Sequence, residues 1–181
     1  MSRESGIWVF GYGSLMWRPG FHHDEAAHAI IHGVHRSLCV YSFVHRGTKQ
    51  RPGLVLGLDA GGWCEGMVFY VPPGHVHETL GYLRRREQMN NVYRAIWKPV
   101  SFKDDPHKEV RALSFVANRS HLQYAGRLPY EKQEWLVRRS VGRSGRNFDY
   151  VLNTVQHLRE CGIHDERLEA LMRRFGRHHQ L

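Results

Sequence analysis

Two short runs in this chain combine residue types and spacing that do chemistry. The first is Gly11-Tyr12-Gly13-Ser14, placed directly after the apolar run Ile7-Trp8-Val9-Phe10 and directly before Leu15-Met16-Trp17. The run reads as a buried strand, and the glycines that follow let the backbone turn sharply with its N–H groups exposed. Such a turn suits a carboxylate, a phosphate or a developing oxyanion. A tight connection with no ligand is the equal alternative, because glycine marks turns of every kind. Ser14 suggests a nucleophile, but Gly-Tyr-Gly-Ser-Leu lacks the Gly-x-Ser-x-Gly order and no His-Asp pair follows at recognisable spacing. Positioning therefore ranks above a covalent serine mechanism. The second run is Arg84-Arg85-Arg86-Glu87. On residue types alone Glu87 is either an ion-paired surface carboxylate, worth ~0–1 kcal/mol, or a base whose pKa burial raises and its arginines lower.

Both runs need elements to hold them. Strand candidates are Ile7–Tyr12, Val34–Ser42, Leu54–Leu58, Cys64–Val71, Arg94–Lys98 and Arg111–Ala117. Leu58-Asp59-Ala60-Gly61-Gly62-Trp63 reads as a hairpin connection. Pro72-Pro73-Gly74 ends a strand and precedes a helix predicted over His75–Met89, with Leu80 and Leu83 on its inner side. Further helices are predicted over Tyr130–Val141, closed by Gly142, and over Phe148–Cys161, capped by Asn147 and closed by Gly162. Phe148, Val151, Leu152, Val155 and Leu158 make an apolar stripe on the latter. Asp165 starts a last helix, with Leu168, Leu171, Met172 and Phe175 inward. Strands first and helices later predict an α+β domain with a mostly antiparallel or mixed sheet. A single domain over 1–181 is expected, with its core over about 7–162 and a C-terminal helix over 165–176; a chain of 181 residues buries roughly 70% of its unfolded surface.

Hydrophobic residues at 41% and charged residues at 24% suit an ordinary globular protein. No apolar run approaches the ~20 residues that span a bilayer, and Met1–Gly6 lacks the apolar core of a secretory signal. No membrane association is expected, and the cytoplasm is the expected compartment. Cys39, Cys64 and Cys161 have no metal-ligand spacing, and their odd number argues for free thiols. His28 and His32 would share one helical face, but no Glu or Cys completes a site around them. His22-His23, His75 with His77, and His178-His179 are no better placed, so no metal is expected. The net charge of +9 comes from 26 Lys and Arg against 17 Asp and Glu, with arginines clustered at 84–86, 138–139, 173–174 and 177. That balance attracts nucleic acid or an anionic small molecule. No nucleic-acid module or aromatic–basic repeat supports the first, and solvated helix faces are the plain reading of Arg138-Arg139 and Arg173-Arg174.

The literal strings carry more than their spacing. Val9-Phe10-Gly11-Tyr12-Gly13-Ser14-Leu15-Met16-Trp17 resembles the opening motif of the ChaC-type, glutathione-specific γ-glutamylcyclotransferases. His45-Arg46-Gly47 with Pro52-Gly53 is similar to the family's HRG…PG segment. Arg86-Glu87 with Tyr93 and Trp97 is similar to its RE…Y…W segment as bacterial members carry it. Ser144-Gly145-Arg146-Asn147 followed by Tyr150-Val151-Leu152 resembles its SG-x-N-x-x-YL signature. The blocks fall in the family's order over about residues 8–162.

The resemblance implies a γ-glutamylcyclotransferase-like fold, a small barrel-like sheet flanked by helices, and a reaction that needs little equipment. The substrate's own α-amine attacks its γ-amide carbonyl and closes a five-membered ring, giving 5-oxoproline and, from glutathione, cysteinylglycine. Intramolecular attack removes much of the entropic barrier once the substrate is held curled. A base and a cradle remain for the protein. The resemblance places Glu87 as the general acid/base and Val9, Phe10, Gly11, Tyr12, Gly13, Ser14 and Leu15 as the substrate cradle. Arg46 would grip the glycyl carboxylate in two hydrogen bonds, with a surface arginine the equal alternative. Tyr93, Tyr124 and Asn147 are assigned no role. No cofactor is implied, and neither a Walker-type loop nor Gly-x-Gly-x-x-Gly is present. Other γ-glutamyl amino acids or amines are alternative substrates. An anion- or nucleic-acid-binding module without catalysis is the alternative from a different class. After Glu87 the chain reads Gln88-Met89-Asn90-Asn91-Val92-Tyr93, longer than the glycine-containing version common in animal members.

Overall fold

The computed structural model describes residues 5–87 and 90–177. In order these form β1 (Ile7–Gly11), a 3-10 turn (Ser14–Met16), β2 (Glu25–Ser42), β3 (Gly53–Val71) and a second 3-10 turn (Pro73–His75). Then follow α1 (Val76–Glu87), β4 (Tyr93–Phe102), β5 (Glu109–Ala117), α2 (Tyr130–Arg139), β6 (Val141–Gly142), β7 (Gly145–Arg146), α3 (Asn147–Glu160) and α4 (Glu166–Arg177). The described residues group into two compact units, one of residues up to Arg36 with Leu58–Asn118, the other of Ser37–Gly57 with Arg119 onward.

The first five strands close a mixed barrel in the order β1-β3-β2-β4-β5. β1 lies antiparallel to β3, from Ile7 opposite Val71 to Gly11 opposite Met67, and parallel to β5, with Val9 opposite Leu113. The expected barrel-like sheet is therefore present. Two parts of it differ from the sequence pattern. β2 begins at Glu25, nine residues before the predicted strand, because Ala29–Ile31 pairs with Val100–Phe102 of β4; pairing overrides the weak strand preference of an alanine- and histidine-rich segment. His28 and His32 thus lie on a strand, not on one helical face. The predicted hairpin at 58–63 is also absent. β3 runs straight through, and Gly61 and Gly62 adopt positive φ of 95° and 73° inside it, the backbone that a glycine bulge needs. His35 Nδ1 meets the Gly61 carbonyl at 2.8 Å there.

One face of β1 builds the core on which the site stands. Val9, Leu15, Val71, Leu83, Leu113 and Phe115 pack as a buried cluster, with Leu80 and Tyr82 against it. Leu83 of α1 is fully buried, which contributes ~1.5–3 kcal/mol by area alone. The predicted end of this helix at Met89 lies outside the described residues.

In the second unit α2 packs against α3 and α4. α2 stops at Arg139, short of the predicted Val141, because Val141–Gly142 pairs with Gly145–Arg146 as a small ladder. Asn147 does not cap α3. It is the first helical residue, fully buried, and its side chain accepts from Leu54 N and donates to Leu54 O, both at 2.7 Å. The apolar stripe shifts as well: Val151, Val155 and Leu158 are buried with Thr154, while Leu152 is exposed. Gly162 closes α3 as expected, donating to the Arg159 carbonyl at 2.8 Å, and the Asp165 carboxylate starts α4 by accepting from Leu168 N at 3.1 Å. Arg138 and Arg174 are not merely solvated. Both donate to the buried carboxylate of Glu134, at 3.1 and 3.2 Å. Cys39 and Cys64 are buried and Cys161 half-buried, all three as free thiols. Among the described residues no helix is long and apolar enough to cross a membrane, and no group of three or more His, Cys, Asp or Glu side chains could hold a metal.

Candidate functional site

β1 delivers its C-terminal turn into a fixed place by two means. Val9 and Phe10 are fully buried, and Leu15 beyond the turn joins the same cluster as Val9. On the other side Gly66 of β3 sits under the strand end. A Cβ at Gly66 would lie 2.3 Å from the Gly11 carbonyl oxygen and 2.7 Å from the Phe10 ring, a space that admits only hydrogen. Gly13 precedes the 3-10 turn, whose Met16 N–H donates to the Gly13 carbonyl at 2.9 Å and whose Ser14 carbonyl accepts from Arg18 N at 2.8 Å. The first N–H groups of such a turn have no partner within it. Along the turn Gly11, Tyr12, Gly13 and Leu15 are buried and Ser14 is exposed.

Glu87 is the last residue of α1, and Leu83 one turn earlier pins that helix to Val9 and Leu15. Its side chain is 16% exposed and pairs with Arg86 Nε at 3.0 Å. Burial pushes its carboxyl above the usual carboxylate range, against the opposing pull of the Arg86 charge and hydrogen bond. Arg86 is the link between the two runs. It donates to Ser14 Oγ at 2.6 Å, to Tyr82 Oη at 2.8 Å and to the Arg18 carbonyl at 3.1 Å, as well as to Glu87. The Ser14 oxygen thus accepts from a guanidinium, which takes no proton from it. A cavity of about 540 Å³, lined by Phe21, His22, His75, Thr79, Tyr82 and Arg85 among others, shares Tyr82 with this network.

Of the seven turn residues Val9 and Leu15 share a core cluster with Leu83 of α1, the helix that Glu87 ends, and Ser14 meets Glu87's partner Arg86. Arg46 is placed otherwise: it donates to the Ser144 carbonyl at 2.6 Å and lies over the Tyr150 ring at 5.3 Å. Tyr124 bridges Val40, and Asn147 serves Leu54. Sequence reasoning missed Tyr82 and Arg36. Arg36 is 4% exposed and donates to the Tyr12 carbonyl at 2.6 Å. An arginine inside a predicted strand was the one available signal.

A family model described as "ChaC-like protein" matches residues 7–177. The chain belongs to that family. Proteins similar to this ChaC-like chain include the glutathione-specific gamma-glutamylcyclotransferase of Escherichia coli, 30% identical over 169 residues, covering 93% of the chain and 72% of that protein. The glutathione-specific gamma-glutamylcyclotransferase 1 of Mus musculus is 33% identical over 176 residues, covering 94% and 78%. Identity alone does not separate the bacterial branch from the animal one. A crystal structure of the yeast gamma-glutamyl cyclotransferase specific to glutathione superposes on the ChaC-like chain with a TM-score of 0.83 at 26% identity, covering 93% of this chain and 95% of that one.

Proposed function

We propose that the chain is a γ-glutamylcyclotransferase that converts glutathione into 5-oxoproline and cysteinylglycine, with Glu87 as general acid/base and the turn Val9–Leu15 as cradle. The observation that carries the reading is a carboxylate buried far enough to sit above its ordinary range, joined through Arg86 to a glycine turn. Family membership and the names of the relatives support the substrate. Turn N–H groups and Ser14 hold the γ-glutamyl end, so the α-nitrogen approaches the γ-carbonyl carbon. Glu87 takes a proton from the α-ammonium, the nitrogen attacks, and the oxyanion of the tetrahedral intermediate is met by donors that need no reorganisation. The γ-C–N bond then breaks as Glu87 protonates the leaving nitrogen. The freed Glu87 carboxylate then passes the ring nitrogen's second proton to the released amine, so two protons lost match two gained and the scheme calls for no water, oxidant or cofactor. A base that later acts as acid works best with a pKa nearer neutrality than a free glutamate's, and burial moves Glu87 in that direction.

The test is mass-spectrometric detection of 5-oxoproline and cysteinylglycine from purified protein given glutathione, beside γ-glutamyl-alanine and the Glu87→Gln variant. Both products from glutathione, lost in the variant, are expected. Turnover of the dipeptide alone moves the substrate and keeps the mechanism. No 5-oxoproline from either substrate overturns the enzymatic reading.

A further inference from the structure

Arg36 lies on β2 with its side chain turned into the protein, and a buried guanidinium is costly unless it is well bonded. Its partners are informative. Nε donates to the Tyr12 carbonyl at 2.6 Å, and Nη2 donates to the Glu65 carbonyl at 2.6 Å with Met16 Sδ at 4.0 Å. Two of these three contacts fall on the turn and the 3-10 residues after it, and Glu65 precedes the glycine that lets β1 approach β3. The cation therefore grips the backbone of the turn from the interior.

That grip has a direction. No cis peptide bond occurs among the described residues, and across a trans peptide the carbonyl and the following N–H point to opposite sides. With the Tyr12 oxygen held by Arg36, the Gly13 N–H is aimed to the opposite side of that peptide, away from Arg36. A charged donor on the carbonyl also polarises the same amide and strengthens its N–H as a donor. We propose that Arg36 is a positioning residue: it fixes the Tyr12–Gly13 peptide plane so that the Gly13 N–H meets the substrate's oxyanion or carboxylate. The inference deepens the cyclotransferase reading and rests on it. Arg36 touches no reacting atom. Lysine, whose donors all sit on one nitrogen, keeps the charge but loses the planar fork that holds two carbonyls at once.

Tyr-Gly occurs at one place in the chain, Tyr12-Gly13, so protein labelled with carbonyl-13C tyrosine and 15N glycine shows Gly13 as a single amide resonance selected through the one-bond 13C–15N coupling. That resonance is followed on titration with 5-oxoproline in the parent, Arg36→Lys and Arg36→Gln proteins, alongside glutathione kinetics and thermal melting. The parent resonance is expected to move with 5-oxoproline. In the variants it is expected at a new position and unresponsive, with kcat down about 10- to 100-fold, less than the ~10²–10³ that deleting an oxyanion donor costs. KM should change less than threefold, and the pH at which kcat/KM rises should stay put, since Glu87 is untouched. A smaller folded fraction would also lower apparent kcat at unchanged KM, so kcat is referred to the folded fraction that the melts give, and the Gly13 resonance is read from folded protein only. Variants with parental kcat and a responsive Gly13 amide overturn the role of Arg36. A parent resonance indifferent to 5-oxoproline overturns it too, even where neither variant folds. A parent that makes no 5-oxoproline from glutathione instead overturns the reading beneath it.

Discussion

Glu87 is pulled two ways, and which pull wins decides how it behaves. Desolvation raises its carboxyl while Arg86 lowers it, and desolvation is the larger influence. A base works ionised, so kcat/KM is expected to rise with pH along a limb displaced above the ordinary carboxylate range. Glu87→Gln should remove that limb together with about 10²–10⁴ of the rate. Stability runs in the other direction. A raised folded pKa contributes stability that is present below the unfolded pKa and lost as pH rises through the folded one. Glu87→Gln should therefore be at least as stable as the parent at neutral pH, by urea denaturation; a marked loss there would show the carboxylate to be structural. Arg86 is the lowering influence, so Arg86→Met should move the acid limb further up and slow turnover. An unmoved limb would refute the coupling that its 3.0 Å bond to Glu87 implies.

α1 and β1 form one piece because Leu83 meets Val9 and Leu15. Leu83→Ala should cost about 2–5 kcal/mol through the cavity it leaves. Because the lost contact joins the helix of Glu87 to the glycine turn, activity should fall more steeply than the folded fraction, which circular dichroism at the assay temperature would check. α3 depends on a different lock. Asn147 satisfies both backbone groups of Leu54, and Asn147→Ala leaves an N–H and a carbonyl buried without that partner. A loss of ~1–3 kcal/mol for each is expected in denaturant melts. α3 and α4 are joined by Arg159 and Glu169, whose carboxyl lies below its usual range because of that hydrogen bond. The sign is the usual acid one: this contribution is present above the unfolded carboxylate pKa and fades as pH falls through the folded one.

The chain as a whole carries +9, and glutathione is an anion at neutral pH. Attraction over distances beyond a Debye length of ~10 Å at 0.1 M salt is screened, so kcat/KM should fall by about two- to fivefold between low and high ionic strength while kcat holds. A salt-independent kcat/KM would show that the charge serves packing instead. Part of it does: Arg138 and Arg174 converge on Glu134, and Arg86 is spent on Ser14, Tyr82 and Glu87.

Much of this was legible along the chain. An apolar run ending in Gly-Tyr-Gly-Ser, a helix preceded by prolines and a glutamate among arginines are local statements, written in backbone preference and periodicity, and they located the turn, α1 and Glu87. The closing of α3 at Gly162 and the start of α4 at Asp165 are local for the same reason. Contacts between distant residues were not legible. Periodicity does not say that Ala29–Ile31 finds β4, that a strand continues through Gly61-Gly62 instead of ending there, or that Asn147 leaves its helix cap for Leu54. Nor do residue types say that Arg86 reaches 72 positions back to Ser14, or that Arg36 bonds Tyr12. Those depend on which surfaces are buried together, and burial is also what sets Glu87 above an ordinary glutamate, because desolvation exists only once the chain has folded around it.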